Sequence, residues 1–271
     1  METLPYFDLL LEGRRGGDPA ALLFSRFVHW GYWADPAKAA GTPEDFAVAM
    51  DRLNDEIVAG ARVEDGMTVL DAGCGFGGTL AGLSTRYPKA RLVGVNYDRR
   101  QLDNAVPSRA RFLQADACSL PLASNSLDAA LAVECIFHFP SRLGFLKEAA
   151  RVLKPGARLS LSDFVPAREG TRGGFIGKML EDKIGEGYGG AGAGWEHGGY
   201  AKMATAAGLV VEQDRDVTAE TLPTYPFLIE MIKKSGFGGP HGKMLWPTRL
   251  LYWLSASRLL RYRIVSFRKP S

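Results

Sequence analysis

The sequence predicts an α/β fold, a doubly wound and mostly parallel sheet with helices on both faces. Three observations predict it. Short apolar runs alternate with helical stretches between residues 67 and 164. A glycine-rich turn, "GCGFGG" at 73–78, joins the first such run to a helix. The stretch "SRLGFLKEAARVLKPG" then places a helix between the fourth and fifth runs. Strands that alternate with helices build parallel βαβ units. A chain of 271 residues, 46% hydrophobic and 23% charged, is long enough to bury a large core and has an ordinary globular composition.

Each element has its own signal. Residues 1–40 are aromatic and irregular, with "HWGYW" at 29–33. "TPEDFAVAMDRLNDEIVAGA" reads as a helix: Thr42 caps it, Pro43 suits the first turn, and acids follow. "MTVLDA" is the first strand, "TLAGLSTRY" a helix, "ARLVGVN" the second strand, and "RRQLDNAV" begins another helix. "ARFLQAD" and "SLDAALAVE" are the third and fourth strands. The next helix carries Leu143, Leu146, Ala150 and Leu153 at helical spacing and is expected to stop at Pro155-Gly156. "ARLSLSDF" is the fifth strand. "GEGYGGAGAGWEHGG" reads as a glycine-rich loop, "HGGYAKMATAAG" as a helix and "LVVEQDRDV" as the sixth strand. Helical stretches over roughly 219–235 and 246–260 precede a last strand, "YRIVSFRK".

Composition narrows the function classes. No apolar run approaches the roughly 18 residues of a spanning helix. The N-terminus has acids before its bases and no long apolar stretch, which argues against a secretory signal. Cys74, Cys118 and Cys135 are scattered and form no CxxC, so neither a zinc site nor a disulfide framework is expected, and a reducing cytoplasm is the simple reading. From Met231 to Ser271 there are nine Lys or Arg and no acid, so the first 230 residues carry −6 of the chain's net +3.

In an open parallel sheet, ligands bind beyond the carboxyl ends of the strands, near the switch point. The glycine turn belongs there. Gly73, Gly75 and Gly78 spell GxGxxG, a dinucleotide fingerprint that is weak on its own. Asp71, two residues before the first glycine, would repel a pyrophosphate and attract an ammonium. Asp116, after the third strand, can accept from an adenine amino group. The sequence after the fifth strand offers another helix and a terminal β-pair.

Consecutive stretches, "VLDAGCGFGG", "LVGVNYDRRQL", "FLQADACSLPLASNSLDAALAVECIFHF" and "FLKEAARVLKPGARLSLSDF", resemble the motifs of class I S-adenosylmethionine-dependent methyltransferases. The resemblance covers about residues 30–165 and, more weakly, the sixth strand. It is closest to small-molecule enzymes of the group that contains sarcosine, tocopherol, sterol and natural-product sugar methyltransferases. It implies a Rossmann-like sheet of seven strands with the last antiparallel, and S-adenosyl-L-methionine as cofactor. Within a single domain, residues 1–60 would form an N-terminal cap, 61–165 the cofactor core, 166–260 lid and specificity insertions around the sixth strand, and 261–271 the final strand.

The resemblance also assigns residues. Gly73 and Gly75 let the backbone approach the methionine part of the cofactor, and Asp71 either reaches its ammonium or supports the glycine loop. Many members carry an acid at the end of the second strand for the ribose; here that position is Asn96, and Gln101, five residues on, is expected to share the task. Asp116 and Ala117 complete the set. Tyr32 would close over the cofactor carboxylate, or else join Trp30 and Trp33 as core filler.

For the chemistry, His138 follows the fourth strand and Asp163 ends the fifth. Similar natural-product O-methyltransferases place a His and an Asp there, the His accepting a hydroxyl proton and the Asp orienting or electrostatically supporting it. Glu134 supports an alternative, since similar sterol and prenyl C-methyltransferases keep a Glu after the fourth strand to stabilise a cation or take its proton. The joint occurrence of His138 and Asp163 favours a hydroxyl of a small molecule or natural product, and the hydrophobic lid expected from the last helix would select a largely apolar one. A nucleotide-dependent dehydrogenase and a non-catalytic cofactor-binding protein are the competing classes. No metal is implied. Nucleic acid is not an expected partner, because neither an NPPY-type motif nor an RNA-binding module is present. In "WPTRLLYWLSASRLL", Trp246, Leu250, Trp253 and Leu254 share one helical face flanked by Arg249 and Arg258. That face is expected to form a lid with "GFIGKML" and the N-terminal aromatics; core packing, or a peripheral membrane or homodimer face, are the alternatives.

Overall fold

Strand β1 (Thr68–Ala72) is buried from Val69 onward, as a strand covered on both faces must be. It pairs in parallel with β2 (Arg91–Asn96) on one side and β4 (Leu127–Ala132) on the other. β3 (Arg111–Gln114) extends the β2 side, and β5 (Leu153–Pro166) extends the β4 side, again in parallel. β6 (Val210–Asp216) and β7 (Leu260–Arg268) pair antiparallel. The seven strands run in the order β3-β2-β1-β4-β5-β7-β6. Strand order reverses after β3, so the switch point lies between β1 and β4 at their carboxyl ends. These features come from a computed structural model that describes residues 4–167, 184, 188, 199–235 and 244–271.

The chain forms two compact units: Met1–Leu53, Phe164–Gly198 and Val217–Tyr262 in the first, and Asn54–Asp163, Gly199–Asp216 and Arg263–Ser271 in the second. Residues 199–216 group with the second unit.

The first unit is built on aromatic packing. Two helices stand where the sequence reads as irregular, α1 (Pro5–Gly16) and α2 (Pro19–Leu23). Phe7, Leu10 and Leu11 are buried at helical spacing, a signal that Gly13, Gly16 and Gly17 obscure. α3 (Pro43–Ala61) begins here, with Thr42 Oγ1 accepting from the Asp45 N–H at 3.2 Å as a cap. Its Phe46 stacks on Phe227 at 4.5 Å and on Trp33 at 6.2 Å. Trp30 meets Phe164 and Tyr225 edge-on. The segment 219–235 splits into α8 (Thr218–Thr221) and α9 (Thr224–Ser235) around Pro223. They follow α7 (Tyr200–Ala207) of the second unit in chain order.

The last helix is α10 (Leu245–Ala256), and of the four residues on the expected lid face Leu254 is buried while the two tryptophans are not. Pro247, Leu251, Leu254 and Ser255 point inward, whereas Trp246 and Trp253 are 51% and 58% exposed. The stripe is therefore rotated, and the two tryptophans do not fill the core. The expected lid partner "GFIGKML", most of the glycine-rich loop, His197 and His241 lie outside the described residues. No helix among the described residues is long and apolar enough to cross a membrane.

In the second unit, α4 (Gly78–Arg86), α5 (Arg99–Asp103) and α6 (Arg142–Val152) cover the sheet. Asp98 and Ser141 cap α5 and α6. α6 ends at Val152 and β5 starts at Leu153, so the helix stops before Pro155-Gly156. Its buried stripe is Phe145, Leu146, Ala149 and Val152; of the expected residues Leu146 and Leu153 are buried, whereas Leu143 and Ala150 are half-buried.

One buried histidine gives the first unit a pH dependence. His29 is 5% exposed, Nδ1 donates to the Trp30 carbonyl at 2.8 Å, and Nε2 is buried with no hydrogen-bond partner among the described residues. Burial lowers its pKa to about 4; the Trp30 carbonyl opposes that drop and the Arg26 charge adds to it. The unfolded chain takes up a proton near the ordinary value of 6.5 that the folded chain refuses until about 4. Stability falls across that window as pH falls, by up to about 3 kcal/mol at ~1.4 kcal/mol per pH unit. His29→Phe is expected to remove this contribution, so that its melting temperature gains on that of the wild type as pH falls from 6.5 to 4, whatever its baseline; a variant whose curve parallels the wild type contradicts this account.

Candidate active site at the carboxyl edge of the sheet

Five neighbouring strands each deliver one polar residue to the same edge. In sheet order these are Asp116 after β3, Asn96 at the end of β2, Asp71 in β1, Glu134 after β4 and Asp163 in β5. At the usual strand spacing the row spans about 19 Å. All five lie in the second unit, as do Gly73, Gly75, Gln101, Ala117 and His138. Tyr32 belongs to the first unit, where its backbone N–H donates to the Ala49 carbonyl at 2.8 Å.

Asp71 is 1% exposed, and its Oδ1 is buried with no hydrogen-bond partner among the described residues. Burial alone pushes its pKa up to about 8. A carboxylate stripped of water without a partner is costly, which is why it holds a proton. The amides of the glycine turn do not satisfy it: the Gly73 and Cys74 N–H groups both donate to the Val95 carbonyl, at 2.7 and 3.1 Å, and Gly77 N–H donates to Cys74 O. Of the two roles expected for Asp71, support of the turn has no hydrogen bond behind it, and capture of an ammonium fits the orphaned oxygen.

The turn needs its glycines. Gly73 has φ 72°, and a Cβ there would meet the Cys135 side chain at 2.7 Å. Gly75, at φ 53°, lies beside Gln101, whose Oε1 would be 3.8 Å from an added Cβ. Burial first, and the Asp71 charge second, push the Cys74 thiol up, so it stays a thiol.

The structure brings Asn96 and Gln101 together. Asn96 Nδ2 donates to Gln101 Oε1 at 2.9 Å and to the Asp98 carbonyl at 3.2 Å, with both side chains buried. The pairing leaves Asn96 Oδ1 and Gln101 Nε2 as an acceptor and a donor for a diol. At the end of β3, Asp116 Oδ1 accepts from the Cys118 N–H at 2.8 Å, which fixes the carboxylate and leaves Oδ2 for another donor. Ala117 is buried beside it. An ammonium, a diol and an amino group set apart along one edge are the polar features of S-adenosylmethionine, and these residues fit them.

Beyond β4 the backbone turns sharply. Glu134 is buried and takes φ 48°, a conformation that costs a non-glycine residue energy and tends to persist at functional sites. Its N–H donates to Ser162 Oγ at 2.9 Å. His138 closes a 3-10 turn, Ile136–His138, with its N–H donating to the Cys135 carbonyl. Asp163 is fully buried, but in place of the expected partnership with His138 its oxygens go to two residues the sequence did not single out. Arg142 Nε donates to Oδ2 at 2.7 Å and Nη2 to Oδ1 at 3.1 Å, and the Tyr200 hydroxyl donates to Oδ2 at 2.7 Å. Burial opposes the Arg142 charge, yet Asp163 more than offsets this and holds the guanidinium above its usual range. Burial, then Asp163, push the Tyr200 hydroxyl up, so it remains a donor. Removing one partner of such a buried pair typically costs ~3–5 kcal/mol. Nothing marks this triad in the sequence, because its members are 21 and 37 residues apart.

Residues 70–161 match the family model described as a methyltransferase domain. Methyltransferase GfsG of Streptomyces halstedii is 34% identical over 221 residues, 76% of this chain and 74% of that one. The chain belongs to the class I S-adenosylmethionine-dependent methyltransferases. An O-methyltransferase of Pyrenophora dematioidea is 36% identical to this methyltransferase over 151 residues, so the chain spans about half of that relative's length, 55%. Among solved structures, the [4+2]-cyclase SpnF superimposes with a TM-score of 0.74 over 98% of this methyltransferase and 93% of SpnF, at 24% identity. That likeness shows the fold alone. No group of His, Cys, Asp and Glu among the described residues of the methyltransferase has the geometry to hold a metal ion.

The raised pKa of Asp71 makes a prediction for the ligand-free methyltransferase. Between the ordinary 3.8 and about 8 the folded state holds a proton that the unfolded state releases, so stability falls as pH rises through this window, by ~1.4 kcal/mol per pH unit. Asp71→Asn, which is never charged, is expected to melt above the wild type at pH 8, with the gap closing toward pH 4. Melting curves with a constant offset would show that Asp71 is ionised in the fold.

Proposed function

We propose that this chain transfers the methyl group of S-adenosylmethionine to a hydroxyl oxygen of a largely apolar small molecule, with His138 accepting the proton. The cofactor side rests on one observation, the buried carboxylate of Asp71 with its orphaned oxygen. When bound, the sulfonium supplies an activated methyl. This chain's own task is to hold a nucleophile in line behind it, exclude water and remove the hydroxyl proton. Asp71 would neutralise the ammonium, Asn96 and Gln101 would take the ribose hydroxyls, Asp116 the adenine amino group, and Gly73 and Gly75 would allow backbone approach. Positioning of this kind supplies roughly 7–11 kcal/mol in favourable cases. A ring nitrogen of His138 accepting the proton adds about 10²–10⁴-fold. The O-methyltransferase relative supports the hydroxyl, and His138, on the loop after β4, supplies the base.

A second reading has its own observation. Glu134 is buried in a strained conformation beside the same loop, where a carboxylate would stabilise a cation during methylation of a prenyl-like or aromatic carbon. Labelled S-adenosylmethionine offered with a panel of hydroxylated small molecules separates the two. The expected product carries its new methyl on oxygen. His138→Gln should then cut turnover about 10²–10⁴-fold and leave S-adenosylhomocysteine affinity unchanged. A new carbon–methyl bond, with turnover lost in Glu134→Gln and kept in His138→Gln, would replace this reading with the second.

A further inference from the structure

The segment 134–142 carries both candidate catalytic groups, and two consecutive residues of β5 grip its two ends. At the near end, Ser162 Oγ accepts from the Glu134 N–H at 2.9 Å. At the far end, the Asp163 carboxylate accepts from the Arg142 guanidinium at 2.7 and 3.1 Å. Consecutive residues of a strand point to opposite faces. The segment therefore crosses the carboxyl end of the sheet from the Ser162 face to the Asp163 face, and its 3-10 turn with His138 lies between the two grips. Two further contacts seat it. Cys135 Sγ donates to the Ala72 carbonyl at 3.0 Å, and the Cys135 and Phe139 side chains lie where a Cβ on Gly73 would be, at 2.7 and 3.3 Å. Tyr200, the first residue of α7, ties that helix to the same carboxylate.

We infer that Ser162, Asp163 and Arg142 are positioning residues that staple the segment 134–142 against the glycine turn, and that Asp163 acts on His138 through Arg142 and the backbone rather than as its hydrogen-bond partner. The reasoning is geometric. Arg142 and Tyr200 account for the hydrogen bonds of Asp163 among the described residues. The guanidinium neutralises its charge, which leaves little field to support an imidazolium. A strained Glu134 persists only where its surroundings over-determine it, and the Ser162 bond to its own amide is one such constraint. The inference rests on His138 and Glu134 being the reacting groups, but the staple itself is read without turnover.

Hydrogen exchange followed by mass spectrometry tests it on the full chain with S-adenosylhomocysteine present, using Ser162→Ala, Arg142→Gln and Arg142→Lys. Peptides spanning 134–145 are expected to exchange about fivefold to tenfold faster in Ser162→Ala, the factor that one such hydrogen bond is worth, and faster still in Arg142→Gln, which leaves the Asp163 charge buried without its cation. Peptides of β1, β2 and β3 should change less than about twofold. Arg142→Lys, which keeps the charge, should restore part of the protection. The His138 resonance, identified by its loss in His138→Gln, should shift in Ser162→Ala, which removes the hydroxyl that accepts from the Glu134 N–H. If exchange in 134–145 is unchanged in a folded Ser162→Ala, or rises equally in all peptides, the staple is wrong. Should Arg142→Gln fail to fold, Ser162→Ala alone decides. Failure of the wild type to bind S-adenosylhomocysteine would be a separate result, against the proposed function and not against the staple.

Discussion

Asp71 sits at the carboxyl end of the central parallel strand, buried, with one oxygen that no hydrogen bond satisfies among the described residues. The neighbouring constraints meet at this carboxylate. The turn that follows must bend away at once, which requires left-handed glycines, and its amides bond across to Val95 instead of back to the acid. The strand beside it, β4, must then deliver a segment that closes on Gly73 without reaching the carboxylate. Cys135 does this, its thiol donating to the Ala72 carbonyl next to Asp71. A fold that keeps a carboxylate dry and unpaired gives up stability near neutral pH. In the proposed function it retains a site where a cation that brings its own charge would be held strongly, because the acid is desolvated beforehand.

The remaining polar residues along the edge are arranged by the same logic of prior satisfaction. Asn96 and Gln101 bond to each other, and Asp116 is anchored by one oxygen, so each presents a fixed remaining group. Beyond β4 the emphasis changes from binding to holding. Ser162 and Asp163 secure the segment that bears Glu134 and His138, at the expense of a buried charge that Arg142 and Tyr200 satisfy. The groups proposed for binding are left partly open, and the supporting groups are closed.

Much of this was legible in the sequence because it depends on local pattern. Short apolar runs marked the strands, Thr42, Asp98 and Ser141 are helix-cap residue types at the helix starts, and the family resemblance pointed to Gln101 as the partner of Asn96. What was not legible depends on contacts distant in sequence. The pairing of Asp163 with Arg142 and Tyr200 has no periodic signature, and a buried arginine at a helix start reads as a solvated one. The rotated face of α10 shows a second limit. Its tryptophans satisfy the helical period equally well as an inner or an outer stripe, and only packing puts Leu251 and Leu254 inside. α1 was missed because its glycines look like loop composition, whereas Gly17 is the left-handed cap that ends it.

The central claim is that a neutral, buried Asp71 becomes a carboxylate when it meets the cofactor's ammonium. Titration calorimetry with S-adenosylhomocysteine, repeated near pH 7 in buffers of different ionisation enthalpy, measures that directly. With the Asp71 pKa at about 8 in the ligand-free protein, binding is predicted to release close to one proton, and Asp71→Asn to abolish that release while weakening binding. Binding with no proton release in the wild type, or the same release in Asp71→Asn, would contradict the account.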